Sequence, residues 1–381
     1  MRVTVICAEY PPFVQGGLGV HYQELAAELR LICQVTMIAA RTSRQTPRFE
    51  EVGELAIYRV LIPRLFPFNH VVFNIKSWWL SRSLPAQVVH LCSPFGFLNL
   101  VFKKSPAVVK IHSLYKGQTG GFFYQRIIFP AAALIDKYMI ERADLIMTTS
   151  TFMRDSILKQ HNSVKVISID NGISSRWLDA KMDKDKARAG VNIPESKYVI
   201  LNVGRFVPRK GTLRLVQAFR KVHDKHPQAH LVLIGGGYTE AAGYESRLTD
   251  YIDAHNLEEA VTMVGWMPSE KLKPYYDAAD LYFHAATYEP FGNVILEAMA
   301  TGLPVIAVKA GGPEEVTGTS GVILENNDPE GMAKAIDEFI TDPNRWAEYS
   351  ILSLERARTF SWKKAAAETL AGYASICRGE R

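Results

Sequence analysis

Two short segments hold the side chains best suited to chemistry. In Val203-Gly204-Arg205-Phe206-Val207-Pro208-Arg209-Lys210-Gly211, two cations, Arg205 and Lys210, sit in a glycine-flanked loop. Arg offers a planar fork of donors and Lys a compact point charge, so each suits one phosphate of a diphosphate. A single Arg and Lys at this spacing is also a common solvated turn. What sharpens the anion reading is an apolar run before the loop and an amphipathic run after it. Together they place the loop at the carboxyl end of a strand, where the next helix presents free N–H groups. The GxxxxGK[ST] spacing of nucleotide-hydrolysing loops is absent, which argues against that chemistry.

The second segment is Glu289-Pro290-Phe291-Gly292-Asn293-Val294-Ile295-Leu296-Glu297. With a helix starting near Asn293, Glu289 lies in the loop before it and Glu297 after its first turn, so both carboxylates can face one cleft. A carboxylate there accepts hydrogen bonds from sugar hydroxyls, two of them from a vicinal diol. The plain alternative is a pair of favourable charges near a helix start. Sharing a sheet edge with the Arg205–Lys210 loop favours the first.

Other segments are weaker. Gly235-Gly236-Gly237 and Gly311-Gly312 read as tight turns after strands, with close backbone approach to a ligand as the alternative. Gly16-Gly17-Leu18-Gly19 lacks the GxGxxG spacing and the acid about 20 positions on that mark a dinucleotide site, so NAD is not expected. His112 ends an apolar run at another carboxyl edge, which raises its functional odds, whereas His21 reads as structural. Asp183-Lys184-Asp185 has a metal-holding spacing but sits among alternating charges, so it reads as a solvated face and no metal is expected.

The elements that must position these residues are short β-branched runs alternating with amphipathic segments, which predict parallel sheets covered by helices. Strands are predicted at Val3–Cys7, Val35–Ala39, Val88–Leu91, Val108–Ile111, Leu145–Thr148 and Val164–Ile169, with helices at Val20–Leu31, Phe129–Arg142 and Phe152–Gln160. A second series predicts strands at Tyr198–Val203, His230–Ile234, Val261–Val264, Leu281–His284 and Val305–Val308. Its helices are Leu213–His226, Tyr244–His255, Asn293–Thr301 and Pro329–Ile340. The fold class is therefore α/β, two doubly wound units in tandem joined near residues 170–195, with a terminal helix around Ser361–Ile376. The stretch 41–86 has no clear period.

At 381 residues the chain is long enough for two cores. Its net charge of +5 is too small to mark a nucleic-acid binder, but its distribution is uneven. Residues 1–178 hold 20 basic and 11 acidic side chains, and 179–381 hold 24 and 28. Residues 41–126 alone carry 12 basic and 3 acidic groups, interleaved with Phe66, Phe68, Phe73, Trp78 and Trp79. Such a mixture suits peripheral contact with an anionic membrane or an anionic acceptor, or else a helix packed through its aromatics; no RNA-binding motif accompanies it. Cys7, Cys33, Cys92 and Cys377 lie far apart, as reduced thiols in a cytoplasmic protein would. The start lacks the features of a signal peptide, and no apolar run reaches spanning length, so a chain beginning at Met1 and at most peripheral to the inner face of the membrane is expected.

Taken together, the chain resembles the retaining glycosyltransferases of family 4, enzymes of the GT-B fold. The resemblance rests on Gly16-Gly17-Leu18-Gly19, His112, Asn171-Gly172-Ile173, Val203-Gly204-Arg205 with Lys210-Gly211, and Glu289-Pro290-Phe291-Gly292 with Glu297, whose two acids are separated by seven residues. It implies two Rossmann-like domains facing each other across a cleft: an acceptor-side domain over 1–175 and a nucleotide-sugar-binding domain over 176–360. The last helix, about 361–381, then packs back on the first domain. Arg205 and Lys210 would neutralise the diphosphate, Glu297 would bind the ribose hydroxyls, and Glu289 and His112 would contact the donor sugar. Gly17 would let the first domain's loop close on the donor, and Gly204, Phe291, Gly292 and Asn293 complete the donor-binding positions. Ser174 stands where the family often has an acid.

The expected activity is hexosyl transfer from a UDP- or GDP-sugar to a hydroxyl acceptor (a glycan, a lipid-linked acceptor or a small molecule). The resemblance implies retention by front-face substitution, without a metal or other cofactor. A sugar phosphorylase or sugar-nucleotide epimerase on the same architecture is one alternative, and a basic membrane-surface interaction protein is another. Nucleic acid is not expected as a partner.

Overall fold

The computed structural model describes residues 1–14, 16–65, 67–114, 125–179, 181–194, 197–236 and 243–377. Phe66, Gly237 and residues 115–124 of the basic segment lie outside the described residues. Two compact units emerge. One runs from Met1, ends its main course at Gly172 and takes in the chain again from Ser361; the other contains Ile173–Phe360.

The first unit is built on an eight-stranded sheet. Its strands are β1 (Arg2–Ile6), β2 (Gln34–Arg41), β3 (Phe49–Val52), β4 (Leu55–Leu61), β5 (Val88–Cys92), β6 (Ala107–Ile111), β7 (Leu145–Thr148) and β8 (Val166–Ser168), in the order β3-β4-β2-β1-β5-β6-β7-β8. All neighbours are parallel except β3 and β4. Strands covered on both faces need continuous apolar runs, and Val108, Val109 and Ile111 of β6 are fully buried. The edge strand β3 is exposed throughout and turns into β4 at Gly53 (φ 61°). The unpatterned stretch thus resolves into a hairpin and the helix Phe68–Ser81.

The helix Trp362–Cys377 packs on the helix Gly17–Leu29 within this unit. Its Tyr373 hydroxyl is 2.6 Å from His90 Nδ1. Gly172 is required where the returning chain passes: a Cβ there would lie 2.1 Å from the backbone nitrogen of Trp362. Ser150 is the cap of the helix Thr151–Leu158, accepting from Met153 N–H at 3.2 Å.

The second unit is a six-stranded parallel sheet of β9 (Tyr198–Val203), β10 (Ala229–Ile234), β11 (Val261–Gly265), β12 (Leu281–His284), β13 (Val305–Val308) and β14 (Val322–Leu324). The order is β11-β10-β9-β12-β13-β14. The chain starts in the middle with β9, winds outward to β11, then returns to the other side of β9 with β12. Between β9 and β12 the connections leave in opposite directions, and this switch point is where an open α/β sheet leaves a crevice at its carboxyl edge.

Cys7, Cys33 and Cys92 are buried thiols. Among the described residues no helix is long and apolar enough to cross a membrane.

Candidate active site

The switch point of the second unit gathers the Arg205–Lys210 and Glu289–Glu297 segments. Lys210 follows β9 and Glu289 follows β12, and the two strands are paired through Leu281↔Ile200 and Tyr282↔Leu201. After β9 the chain passes Gly204 and Arg205, makes a short turn at Pro208–Lys210 and enters the helix Thr212–Lys225 through Gly211. Gly211 has φ 69°, and a Cβ on it would sit 2.0 Å from the Ala285 carbonyl oxygen. Only glycine lets this loop run so close beneath the end of β12. The Arg209 carbonyl accepts from Thr287 N–H at 2.9 Å, which ties the two loops together.

Lys210 Nζ forms an ion pair with Glu289 Oε2. His284 Nε2 lies 3.3 Å from the same oxygen. Burial opposes ionisation of Glu289, but Lys210 and His284 overcome it and hold its carboxyl well below the usual carboxylate range. Burial lowers Lys210, with Arg209 and Arg205 adding to the effect and Glu289 opposing it. His284, at the end of β12, is lowered by burial against the pull of Glu289. The loop therefore concentrates the cations Arg205, Arg209 and Lys210 at one sheet edge, where Glu289 pairs with Lys210 and Arg209 donates to the Tyr288 carbonyl at 3.3 Å.

Glu297 has a different setting. It lies in the helix Asn293–Ala300, which Gly292 enters with φ 105°. Tyr276 donates its hydroxyl to Glu297 Oε2 at 3.0 Å. Burial pushes the Glu297 carboxyl up to about 7, against the Tyr276 hydrogen bond and the charge of Arg176. Two glutamates of one motif thus end with opposite tendencies, one firmly ionised and one poised near neutrality. Phe291 is core: it is 4% exposed and packs edge-on against Phe360. What it can present to a ligand is backbone. Asn293 begins the helix and is half-buried.

The glycine pairs after β10 and β13 do more than turn. A Cβ on Gly235 (φ 149°) would fall 1.8 Å from the Gly204 carbonyl oxygen, and one on Gly312 would fall 2.4 Å from Phe291 Cα. Neighbouring βα loops are packed backbone to backbone, which fixes the Arg205 and Glu289 segments. Glu314 accepts from the N–H groups of Ala310 and Gly311 at 3.0 and 2.9 Å, closing the adjacent helix start.

In the first unit, His112 directly follows β6. It lies edge-on to His21 at 4.6 Å and to Tyr22 at 5.6 Å between ring centroids. Burial, together with the charges of Lys110 and His90, lowers its pKa well below the usual imidazole value. Its Nε2 is buried with no hydrogen-bond partner among the described residues. His21 is 2% exposed and also packs against Trp362. Gly17 opens the helix Gly17–Leu29 and is exposed, whereas Gly19 is the packing glycine, whose Cβ would meet Val14 at 2.8 Å. Lys110, 1% exposed inside β6, is lowered to about 8 by burial against the pull of Asp170.

Asp183 caps the helix Lys184–Gly190 by accepting from Lys186 N–H at 3.2 Å. Sequence reasoning overlooked His284, Tyr276 and Arg176. A histidine ending an apolar strand at a carboxyl edge is the same signal that singled out His112, and it was present at His284. Tyr276 and Arg176 lie far from Glu297 along the chain and carried no such signal.

Solved structures share this fold of two α/β units. Sucrose-phosphate synthase from Thermosynechococcus elongatus matches with a TM-score of 0.84 at 24% identity, over 100% of both chains. Anabaena HepE in complex with UDP-glucose matches with a TM-score of 0.76 at 19% identity, over 98% of this chain and 100% of that one. The fold is that of the GT-B glycosyltransferases. Residues 15–176 match the sequence model of Glycosyltransferase Family 4, and residues 183–352 match that of Glycosyl transferases group 1. Alpha-maltose-1-phosphate synthase of Mycolicibacterium smegmatis is 29% identical over 99% of this chain and its own full length. The chain belongs to glycosyltransferase family 4.

Proposed function

We propose that the protein transfers a hexosyl group from a UDP- or GDP-sugar to a hydroxyl acceptor, with retention at the anomeric carbon and without a metal ion. The observation that carries this reading is the Arg205, Arg209 and Lys210 cluster at the switch point, with Lys210 held by Glu289. Cleavage of the anomeric C–O bond leaves negative charge on the departing diphosphate, and fixed cations lower that barrier more than they aid ground-state binding. Arg205 and Lys210 take the phosphates. Glu297 takes the ribose diol, and Glu289, already ionised, accepts hydroxyls of the sugar.

His112, with an unpartnered buried Nε2, is suited to a hydrogen bond with the donor sugar. The acceptor oxygen forms its bond to the anomeric carbon on the face the diphosphate leaves, and a departing phosphate oxygen takes the acceptor's proton. The UDP-glucose bound to the Anabaena relative is a donor of the expected class.

The test is incubation with a panel of UDP- and GDP-sugars, following slow release of the free sugar and its first-formed anomer by NMR. Release of the donor's own anomer from at least one of them is expected. Failure to bind or cleave any of them, or release of the inverted anomer, would overturn the reading.

A further inference from the structure

The helix Phe68–Ser81 is apolar on the side it shows to solvent. Its outward ridge is apolar: Phe68, Val71, Ile75 and Trp79 are 60, 54, 50 and 76% exposed. Their spacing of three and four places them in one line along the helix. The inward side mixes polar groups with Phe73, which is fully buried. Ser77 is fully buried and donates to the Asn74 carbonyl, while the Asn74 side chain accepts from Gly96 N–H and donates to the His70 carbonyl. An ordinary surface helix turns its apolar stripe to the core and polar residues to solvent. Leu65 and Phe102, both exposed, continue the apolar surface, and Phe102 lies 5.1 Å from the Trp78 ring.

The charge along this stretch of the sequence has one sign. From Glu54 to Asp136 the sequence contains no other acidic residue, and Arg64, Lys76, Arg82 and Lys104 are exposed. Arg44, Arg64 and Lys76 also line a hollow of about 420 Å³ whose wall includes Val72 of the same helix.

We propose that this face docks on an anionic phospholipid bilayer, with the ridge inserted at the headgroup boundary and the basic hollow taking a lipid phosphate. An apolar ridge with a basic rim is what an interfacial helix presents to a membrane. A second copy of the chain fits worse, because a symmetric contact would bring two basic rims together with no acid in the segment to pair them. A nucleic acid would give no reward for burying Val71 and Ile75. The proposal stands on the first unit alone and is independent of the transfer reaction.

Flotation of the full chain with phosphatidylcholine vesicles, with and without phosphatidylglycerol, tests it. Binding is expected only with phosphatidylglycerol and should weaken as salt is raised. The double substitution Ile75→Ser with Trp79→Ser should weaken it by at least about tenfold, since these side chains supply inserted apolar area. Arg44→Glu with Arg64→Glu should abolish the phosphatidylglycerol preference. All four positions are exposed, so both variants should keep the wild-type melting temperature and donor cleavage. No flotation of the wild type, or equal flotation of the Ile75/Trp79 variant, would overturn the proposal. A dimer in sedimentation that the same variant dissolves would assign the face to a second copy instead.

Discussion

Lys210 and Glu289 meet as an ion pair although 79 positions separate them along the chain. Their meeting follows from strand order: β9 and β12 are neighbours, so the loops that leave their carboxyl ends share one edge. The pair holds a cation in place at the switch point, and on the proposed function this is preorganisation of the kind that lowers a barrier.

If the pair orients the site, its members must be coupled in stability as well as in turnover. Lys210→Met and Glu289→Gln are each expected to destabilise, because the partner is left largely buried without its counter-charge. The double variant should recover about 1–3 kcal/mol relative to the sum of the two, as contacting residues do. Urea unfolding of the four proteins measures this, and additivity within about 0.5 kcal/mol would mean the pair makes no contribution. Each single variant should also slow donor cleavage by about 10²-fold or more.

Glu297 predicts a pH dependence with a definite sign. Its carboxyl is raised by burial to about 7, so between the ordinary carboxylate range and that value the folded protein holds a proton that the unfolded chain has lost. The stability it contributes is full at acid pH and is lost as pH rises through about 7. A ribose diol needs the ionised form. Affinity for a UDP-sugar, whose diphosphate keeps its charge in this range, should therefore climb from about pH 6 to about pH 8. Glu297→Gln should weaken binding and flatten the climb in calorimetric titrations; a slope unchanged by the substitution would exclude Glu297 as its source.

Two glycines provide a contrast. Gly211 combines a positive φ with a Cβ position 2.0 Å from a backbone oxygen, whereas a Cβ on Gly190 meets nothing within 4 Å. Gly211→Ala is expected to cost at least about 1–3 kcal/mol from backbone strain alone and to abolish nucleotide binding. Gly190→Ala, near a helix end, should leave both within error. Thermal unfolding with and without UDP reads the two effects together, and a stable, UDP-binding Gly211→Ala protein would contradict the loop geometry.

Legibility in the sequence followed burial. Strands covered on both faces, such as Leu281–His284 and Val305–Val308, carry uninterrupted apolar runs ended by polar residues, and their limits were readable to the residue. The hairpin of β3 and β4 was not readable, because β3 is exposed on both faces and carries no alternation. The helix Phe68–Ser81 defeated periodicity for another reason: apolar residues lie on both of its sides, Phe73 inward and Phe68, Val71, Ile75 and Trp79 outward, so no single apolar face marks it.

The candidate site divides in the same way. Side-chain chemistry and local spacing identified Arg205, Lys210, Glu289 and Glu297 and placed them at helix starts, since a βα loop is a local object that a few consecutive residues define. Which of them touch is not local. That Lys210 is bound to Glu289 and not to Glu297, that His284 completes the anchor, and that Tyr276 and burial leave Glu297 near neutrality are decided by strand order and packing. Residue types set what each group can do, and the dielectric and neighbours that tertiary structure assigns set its charge.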